Sequence, residues 1–148
     1  MHRIVRLAPV LLLSFFVGCT DSMAPISLTL NRARWEKQNL HDYSYTGRRS
    51  CFCADAGKDV NVLVLADTVF SAKVIGTNVE LQKGLWQTVD ELFDFAERAF
   101  GPKDQTVAVD YDPTLGYPAR IKIGCSPGIA DCGETIEVKN LGPLAFIN

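Results

Sequence analysis

Cysteine is the residue type whose number and spacing in this 148-residue sequence point most directly to chemistry. Cys51 and Cys53 lie one residue apart, and Cys125 and Cys132 follow near the end of the chain. Thiolates form disulfides, bind soft metal ions and exchange electrons. These four residues could therefore build a structural bridge, a metal site or a redox site, and Cys19 stands apart from them.

The N-terminus has the layout of a secretory signal, because two arginines precede an apolar segment, residues 7–17, that ends at Gly18. This segment is too short to span a bilayer. A cysteine directly after a small residue at such a place resembles a bacterial lipobox, in which Cys19 carries lipid and becomes the first mature residue. Phe16 stands where a lipobox usually has Leu. The alternative is an ordinary signal peptide that is cut near Gly18 or Ala24.

Export divides the chain into a signal peptide (1–18), a short tether (19–26) and a single globular domain (27–148) that is large enough for one core. Loss of the two arginines lowers Lys plus Arg from 15 to 13 against 17 Asp plus Glu, which leaves a net charge of about −4. That balance argues against nucleic acid as a partner. We expect attachment to the cell envelope through lipid on Cys19. Thr20 in place of Asp favours the outer membrane, with the domain facing the periplasm.

Four cysteines exported to an oxidising space form an even set, so we expect two disulfides, and four cysteines allow three pairings. No metal site is expected, because His41 is the one histidine beyond the signal and a zinc or copper site needs further ligands. Thiol exchange is an alternative, since Arg48 and Arg49 could favour a thiolate on Cys51 or Cys53. Exchange motifs, however, place their cysteines at the start of a helix, whereas this pair ends a strand pattern.

Other catalytic and ligand-binding patterns are weak. His41 and Asp42 are adjacent but lack a positioned nucleophile, so we expect neither a hydrolase nor another enzyme. Asp110, Asp112 and Asp131 could offer oxygen ligands to calcium, but they follow no calcium-loop spacing and suit turns. No cofactor is predicted.

Hydrophobic periodicity predicts two helices and six strands. Ser27 as an N-cap predicts a helix over 28–40, and the capping box from Thr88 to Glu91 predicts a second helix, which Gly101 and Pro102 close. Strands are predicted at 43–53, 60–66, 69–75, 106–111, 119–123 and 135–141. Both halves therefore have the order helix, strand, strand, strand, which suggests a duplicated unit without residue identity. The compact solution is a two-layer α+β domain, with an antiparallel sheet of about six strands and two helices on one face, in the order αβββ-αβββ.

The connection 76–87 and the sheet face opposite the helices are the candidate contact surfaces. Three apolar side chains on the connection could contact a partner, namely Leu81, Leu85 and Trp86. For Trp86 the favoured alternative is packing onto the domain's own core. Leu63, Leu65 and Phe70 suggest that part of the sheet is covered on both sides or presents an apolar patch.

Several pieces of the sequence occur in the same order in one known family. They are Trp35 ahead of Asp42-Tyr43-Ser44-Tyr45, then Ser50-Cys51-Phe52-Cys53, Thr88 to Phe93, and Tyr111-Asp112-Pro113 with Gly116-Tyr117-Pro118. In these pieces the sequence resembles a family of small uncharacterised bacterial envelope lipoproteins, over nearly all of the chain beyond the signal. The resemblance implies a domain of unknown function and carries over no catalytic residue.

The resemblance also implies a disulfide pairing. Relatives often have the Cys-x-Cys pair alone, which implies that Cys51 pairs with Cys53. Residues i and i+2 of a flat strand lie about 6.4–6.8 Å apart, at the limit for a disulfide, and a strand end or bulge at Phe52 would shorten that distance. Cys125 and Cys132 would then pair across the turn between two strands. The Cys51–Cys53 ring is small, so we expect it to be the more easily reduced bridge.

Three functions are consistent with these patterns. We expect first a lipid-anchored, disulfide-stabilised envelope domain that acts by binding, through the open sheet face and the 76–87 connection, with another envelope protein as the candidate partner. The second is thiol-disulfide exchange by Cys51 and Cys53. The third is inhibition of an extracellular enzyme, which only the repeated layout suggests.

Overall fold

A computed structural model describes residues 23–102, 105–125 and 133–144. Within them two helices and two sets of three strands follow one another, which confirms the predicted α+β class and αβββ-αβββ order. The helices are α1 (Met23–Glu36) and α2 (Val89–Ala99). The strands are β1 (Tyr43–Ser50), β2 (Asp59–Leu65), β3 (Thr68–Val74), β4 (Gln105–Tyr111), β5 (Pro118–Cys125) and β6 (Glu134–Pro143). A short 3-10 turn, Lys83–Leu85, lies between β3 and α2.

The six strands form one antiparallel sheet in the order β3-β2-β1-β6-β5-β4. Its buried residues alternate along the strands and face the two helices, as the period of two in a strand requires. The strand side of the core contains Tyr43, Tyr45, Val60, Val62, Val64, Ile121, Ile136 and Val138. The core therefore lies between one face of the sheet and the helix layer.

The two halves share an order of elements but not an arrangement. In the first half β1 lies at the centre of the sheet and β3 at its edge, whereas in the second half β4 lies at the edge and β6 at the centre. Because each neighbouring pair is antiparallel, β1 and β4 also run in opposite directions. No rotation that keeps the helices on one face superimposes such halves, so the repeated order is not a structural duplication.

α1 begins at Met23, four residues before the predicted N-cap Ser27, so the end of the predicted tether is helical. Pro25 suits the first turn of a helix, where backbone N–H groups have no intrahelical partner. The helix ends at Glu36, earlier than predicted, because the chain turns at Asn39, whose φ of 51° is left-handed.

α2 is the helix whose start and buried face the sequence predicts most directly. Thr88 Oγ1 accepts the Glu91 N–H at 3.2 Å, and the Glu91 carboxylate accepts the Thr88 N–H at 2.8 Å, which completes the predicted capping box. Its buried residues are Val89, Leu92, Phe93, Ala96 and Ala99. No helix in the part of the chain that the structure describes is long and apolar enough to cross a membrane.

The sheet face opposite the helices is charged. Arg48 donates two hydrogen bonds of 2.7 Å to Asp59, and both Arg120 and Lys139 contact Glu137. The hydrogen bond from Arg48 lowers the pKa of Asp59, and that from Lys139, followed by that from Arg120, lowers the pKa of Glu137. This face is therefore covered largely by its own ion pairs.

The two leucines expected on this face do not form an apolar patch. Leu63 lies opposite Ser44 on one side and Ser71 on the other, and it is half-buried. Leu65 pairs with Thr68 at the end of the hairpin and is also half-buried. The exposed apolar side chains of the sheet lie at the β3 edge instead, where Phe70 is 55% exposed.

Candidate functional site

The chain that follows β3 turns back and covers the edge of that strand. Val74 N–H donates to Val79 O at 3.0 Å, and Leu81 N–H donates to Ala72 O at 2.8 Å. Residues 79–81 therefore pair with β3 through an antiparallel bridge. Gly76 makes the reversal possible, because its φ of 78° is unfavourable for other residues. The 76–87 connection thus has a backbone that is fixed by hydrogen bonds.

Four exposed apolar side chains lie on this fixed edge, and we call them the edge surface: Phe70, Ile75, Val79 and Leu85. They are four of the seven large hydrophobic side chains that are exposed within the described residues, and each is at least 39% exposed. The Lys83 ammonium lies 5.1 Å from the centroid of the Phe70 ring, within range of a cation–π contact. Exposed apolar side chains along one edge offer a contact surface if they form a contiguous patch.

Of the three predicted contact residues, Leu85 alone belongs to the edge surface. Leu81 is partly buried and packs against the core. Trp86 is 4% exposed and lies against Gly47, where an added Cβ would come within 2.5 Å of the indole ring. Trp86 is therefore a core residue, the alternative that the sequence analysis left open.

Arg49 joins the edge surface to the centre of the sheet. Its guanidinium donates to the backbone oxygen of Leu85 at 2.9 Å and to Glu134 Oε1 at 2.5 and 2.9 Å. Both side chains of this ion pair are about four-fifths buried. Sequence reasoning missed this contact, because Arg49 and Glu134 are 85 residues apart and no sequence motif predicts that they pair.

The cysteine pair Cys51 and Cys53 forms a disulfide directly after β1, with a Cα separation of 5.3 Å. The strand ends at Ser50, so the pair does not have to bridge a flat strand. Phe52 between them is 89% exposed. Cys125 at the end of β5 is also disulfide-bonded, and its expected partner Cys132 lies outside the described residues, as does Cys19.

The two arginines near the cysteine pair contact carboxylates. Arg48 pairs with Asp59, and Arg49 pairs with Glu134. A cysteine thiolate would compete with these carboxylates for the positive charges of Arg48 and Arg49. In the disulfide form, therefore, neither arginine makes the contact with a cysteine that would favour a thiolate.

His41 pairs with the carboxylate of Asp67 rather than with that of its sequence neighbour Asp42. Its Nδ1 lies 2.8 Å from Asp67 Oδ2, whereas Asp42 accepts a hydrogen bond from the backbone of Ala66. Trp35, Asp67 and Asp90 line an adjacent hollow of about 190 Å³ with four further residues: Glu36, Asn39, Leu40 and His41.

This hollow has an acidic character. Burial raises the pKa of Asp90, and the charge of Asp67 raises it further, while Trp35 donates a hydrogen bond that lowers it. The lining residues include no Ser, Thr, Cys or Lys that could act as a nucleophile. Within the described residues no three His, Cys, Asp or Glu side chains are grouped so that they could hold a metal ion.

Two of the tyrosines on which the family resemblance rests contact the start of α2. Tyr43 Oη accepts the Val89 N–H at 2.9 Å, and the Tyr45 hydroxyl donates to Gln87 O at 2.5 Å. Burial raises the pKa of both phenols far above the usual value, so they remain protonated. These contacts hold the first turn of α2, next to the capping box of Thr88.

Trp35 joins this group to the turn between β4 and β5. Its ring lies edge-on to Tyr43 at 5.4 Å and to Tyr117 at 6.4 Å. In the turn, Asp112 Oδ1 accepts the Thr114 and Leu115 N–H groups. These residues fix helices onto strands, so their roles within the described structure are structural.

A family model that is described as a family of unknown function, DUF6174, matches residues 27–143. The chain belongs to the DUF6174 family. The matched residues run from the first turns of α1 to the last residue of β6, so the DUF6174 domain includes all six strands. Neither a curated protein nor a solved structure matches the chain.

Proposed function

We propose that this chain is a lipid-anchored envelope protein whose DUF6174 domain acts by binding another protein through the edge surface. The observation that carries the proposal is the grouping of Phe70, Ile75, Val79 and Leu85 on a hydrogen-bonded edge. Apolar groups held on a fixed backbone lose little conformational entropy on binding, which favours association. The charged sheet face would have to break its own ion pairs to accept a partner, so the edge surface is the better candidate.

Location in the envelope rests on the N-terminal sequence and on cysteine chemistry. The segment before Cys19 has the pattern of a lipoprotein signal, and the disulfides are typical of an oxidising compartment. Replacing Cys19 by Ser should release the chain from the membrane fraction of the producing cells. Recovery of the Cys19→Ser variant in that fraction, at the level of the unaltered chain, would refute the anchor.

Site-specific photocrosslinking in intact cells tests the binding role. A photoreactive phenylalanine analogue at position 85 or 79 should form a discrete adduct with one protein, because both positions lie in the edge surface. The same analogue at Lys122, an exposed position on the charged sheet face, is the matched control. Adducts that are equal at all three positions, or absent from all three, would contradict the proposal.

Thiol-disulfide exchange is a second candidate, favoured by the exposed position of the Cys51–Cys53 bridge beside Phe52. An exchange protein should speed the reduction of insulin by dithiothreitol, and the Cys51→Ser, Cys53→Ser double variant should lose that activity. Equal rates with the double variant would leave binding as the function. Inhibition of an extracellular enzyme rests only on the repeated order of helix and strands. Because the strands of the two halves are arranged differently in the sheet, no other observation supports this function.

A further inference from the structure

α1 has apolar side chains on two opposite faces. Leu28 and Trp35 face the core and are at most 4% exposed. On the other side, Ile26 and Leu30 are 54% and 64% exposed. Residues spaced by four and three positions share one face of a helix, so Ala33 continues the row of Ile26 and Leu30. Lys37 follows directly after the last residue of α1, and both Ala33 and Lys37 are exposed. We call these four residues the outer stripe.

The outer stripe is apolar where it is closest to the N-terminus. Residues 23–31 include no charged side chain, and the first basic residues of α1 are Arg32 and Arg34. Arg32 is engaged by Asp94 and Glu97 of α2. The stripe thus begins with two exposed aliphatic side chains and ends with the exposed Lys37, which directly follows the last residue of α1.

The distance from the proposed anchor limits where the outer stripe can lie. Three residues lie between Cys19 and Met23, the first residue of α1, and the four residue steps that join them span about 14 Å at most in a fully extended chain. Ile26 and Leu30 lie within two turns of that point. A lipid on Cys19 therefore holds these side chains within reach of the membrane surface in every arrangement of the connecting residues.

We propose that the outer stripe of α1 lies against the membrane that holds the lipid anchor, with Ile26 and Leu30 at the level of the lipid headgroups. This inference rests on the proposed anchor at Cys19. In this position the exposed aliphatic side chains would leave water, and the lysine that follows the helix could reach the lipid phosphates. The net charge of the chain beyond the signal is negative, so apolar contact rather than charge attraction determines this orientation.

Lipid-borne quenching of a fluorescent amino acid tests the orientation with the full lipidated chain. The fluorophore replaces Ala33, which lies in the outer stripe but leaves Ile26 and Leu30 intact. The control fluorophore replaces Val79, which is 53% exposed and lies on the β3 edge. The protein is reconstituted into phosphatidylethanolamine–phosphatidylglycerol vesicles that include a lipid with a doxyl group just below the headgroup.

We expect quenching at position 33 and none at position 79. The Ile26→Ser, Leu30→Ser double variant should lose the quenching at position 33, because the stripe then has no apolar contact with the bilayer. Both replaced residues are exposed, so the fold should survive, and a thermal melt followed by circular dichroism checks it. The matched Ile75→Ser, Val79→Ser variant should leave quenching at position 33 unchanged.

The possible results separate this inference from the anchor. A chain that sediments with the vesicles but is quenched equally at positions 33 and 79, or at neither, overturns the orientation and leaves the anchor in place. Quenching at position 33 that persists in the Ile26→Ser, Leu30→Ser variant overturns the role of the stripe. If the expressed chain carries no N-terminal lipid and fails to sediment with the vesicles, both the anchor and the orientation are overturned.

Discussion

Trp86 has its position because residue 47 has no side chain. A Cβ at Gly47 would lie 2.5 Å from the Trp86 ring and 3.0 Å from the ring of Tyr45. The sequence favours packing of Trp86 on the core but does not reveal this contact, since an isolated glycine in a strand indicates a close approach without showing which residue approaches. Trp86 follows an irregular segment, so its burial depends on the strand against which it packs. That strand is in place only in the folded sheet.

The Gly47→Ala variant should be less stable than the unaltered chain by about 1–3 kcal/mol, because the added methyl group forces the indole ring to move. Gly84→Ala is the matched control, since a Cβ there meets no atom within 4 Å and its backbone is not left-handed. Denaturant melts of both variants measure the difference. Equal stability of the two variants would mean that Trp86 does not pack on β1.

Two phenylalanines show how a core residue differs from a residue of the edge surface. Phe93 is fully buried and lies 6.2 Å from the Tyr111 ring, whereas Phe70 is 55% exposed. Phe93→Ala should cost about 3–5 kcal/mol of unfolding free energy through lost burial and a cavity. Phe70→Ala should stay within about 0.5 kcal/mol of the unaltered chain and should weaken partner crosslinking instead. A large loss of stability in the Phe70 variant would remove that residue from the edge surface and place it in the core.

At the scale of elements, α2 follows from its sequence while α1 does so only in part. Local signals mark both ends of α2: the Thr88 capping box opens the helix, and Gly101 and Pro102 directly follow its C-cap, Phe100. The start of α1 was predicted too late, because Ser27 resembles an N-cap and Pro25 resembles a break, although proline is accommodated in a first turn. Leu28 and Trp35 belong to both the predicted and the observed helix, so the buried face of α1 does not determine where the helix begins.

The start of α2 should depend on two separate contacts. Thr88→Ala removes the cap and should cost about 0.5–2 kcal/mol. Tyr43→Phe leaves the Val89 N–H without its acceptor in a buried place and should cost about 1–3 kcal/mol. Thr114→Ala, in an exposed turn, is the control for a simple threonine truncation. If the Tyr43→Phe and Thr88→Ala variants melt like the control, these contacts do not fix the helix start.

For the whole molecule, the sequence predicts which layers form but not how the strands join. The number of strands, the position of both helices in the order and the layer architecture follow from local periodicity and from the need to bury one face. The β1–β6 pairing follows from neither, because it joins residues that are far apart in the chain and any two apolar strand edges are locally equivalent. The same limit hid the edge surface, whose residues come together only when 79–81 pairs with β3.

All four tyrosines of the chain should resist ionisation in the native state. Burial raises the pKa of Tyr43, Tyr45 and Tyr117, and raises that of Tyr111 to about 12. The unfolded chain ionises its phenols near pH 10. The stability from these groups is thus fully present below about pH 10 and is lost as the pH rises beyond it.

Ultraviolet absorbance of the phenolate measures this titration. In the native protein the signal should stay low near pH 10 and then rise steeply as the chain unfolds, whereas in denaturant it should rise smoothly with a midpoint near pH 10. A Tyr43→Phe variant should lose less of its own stability between neutral and alkaline pH. A native titration that matches the one in denaturant would show that the phenols are accessible to solvent.

The strand that completes the sheet is also the last one to be synthesised. β6 pairs with β1 on one side and with β5 on the other, so without it the remaining strands separate into a group of three and a group of two. Hydrogen bonding across the middle of the sheet cannot be completed before residue 143 is available. Folding is therefore delayed until the whole chain has emerged, since its central contacts are between distant residues. If the proposed signal directs an unfolded precursor across a membrane, this delay gives the precursor time to cross. Truncation of the ten residues of β6 should leave the chain a substrate for proteases rather than a smaller domain.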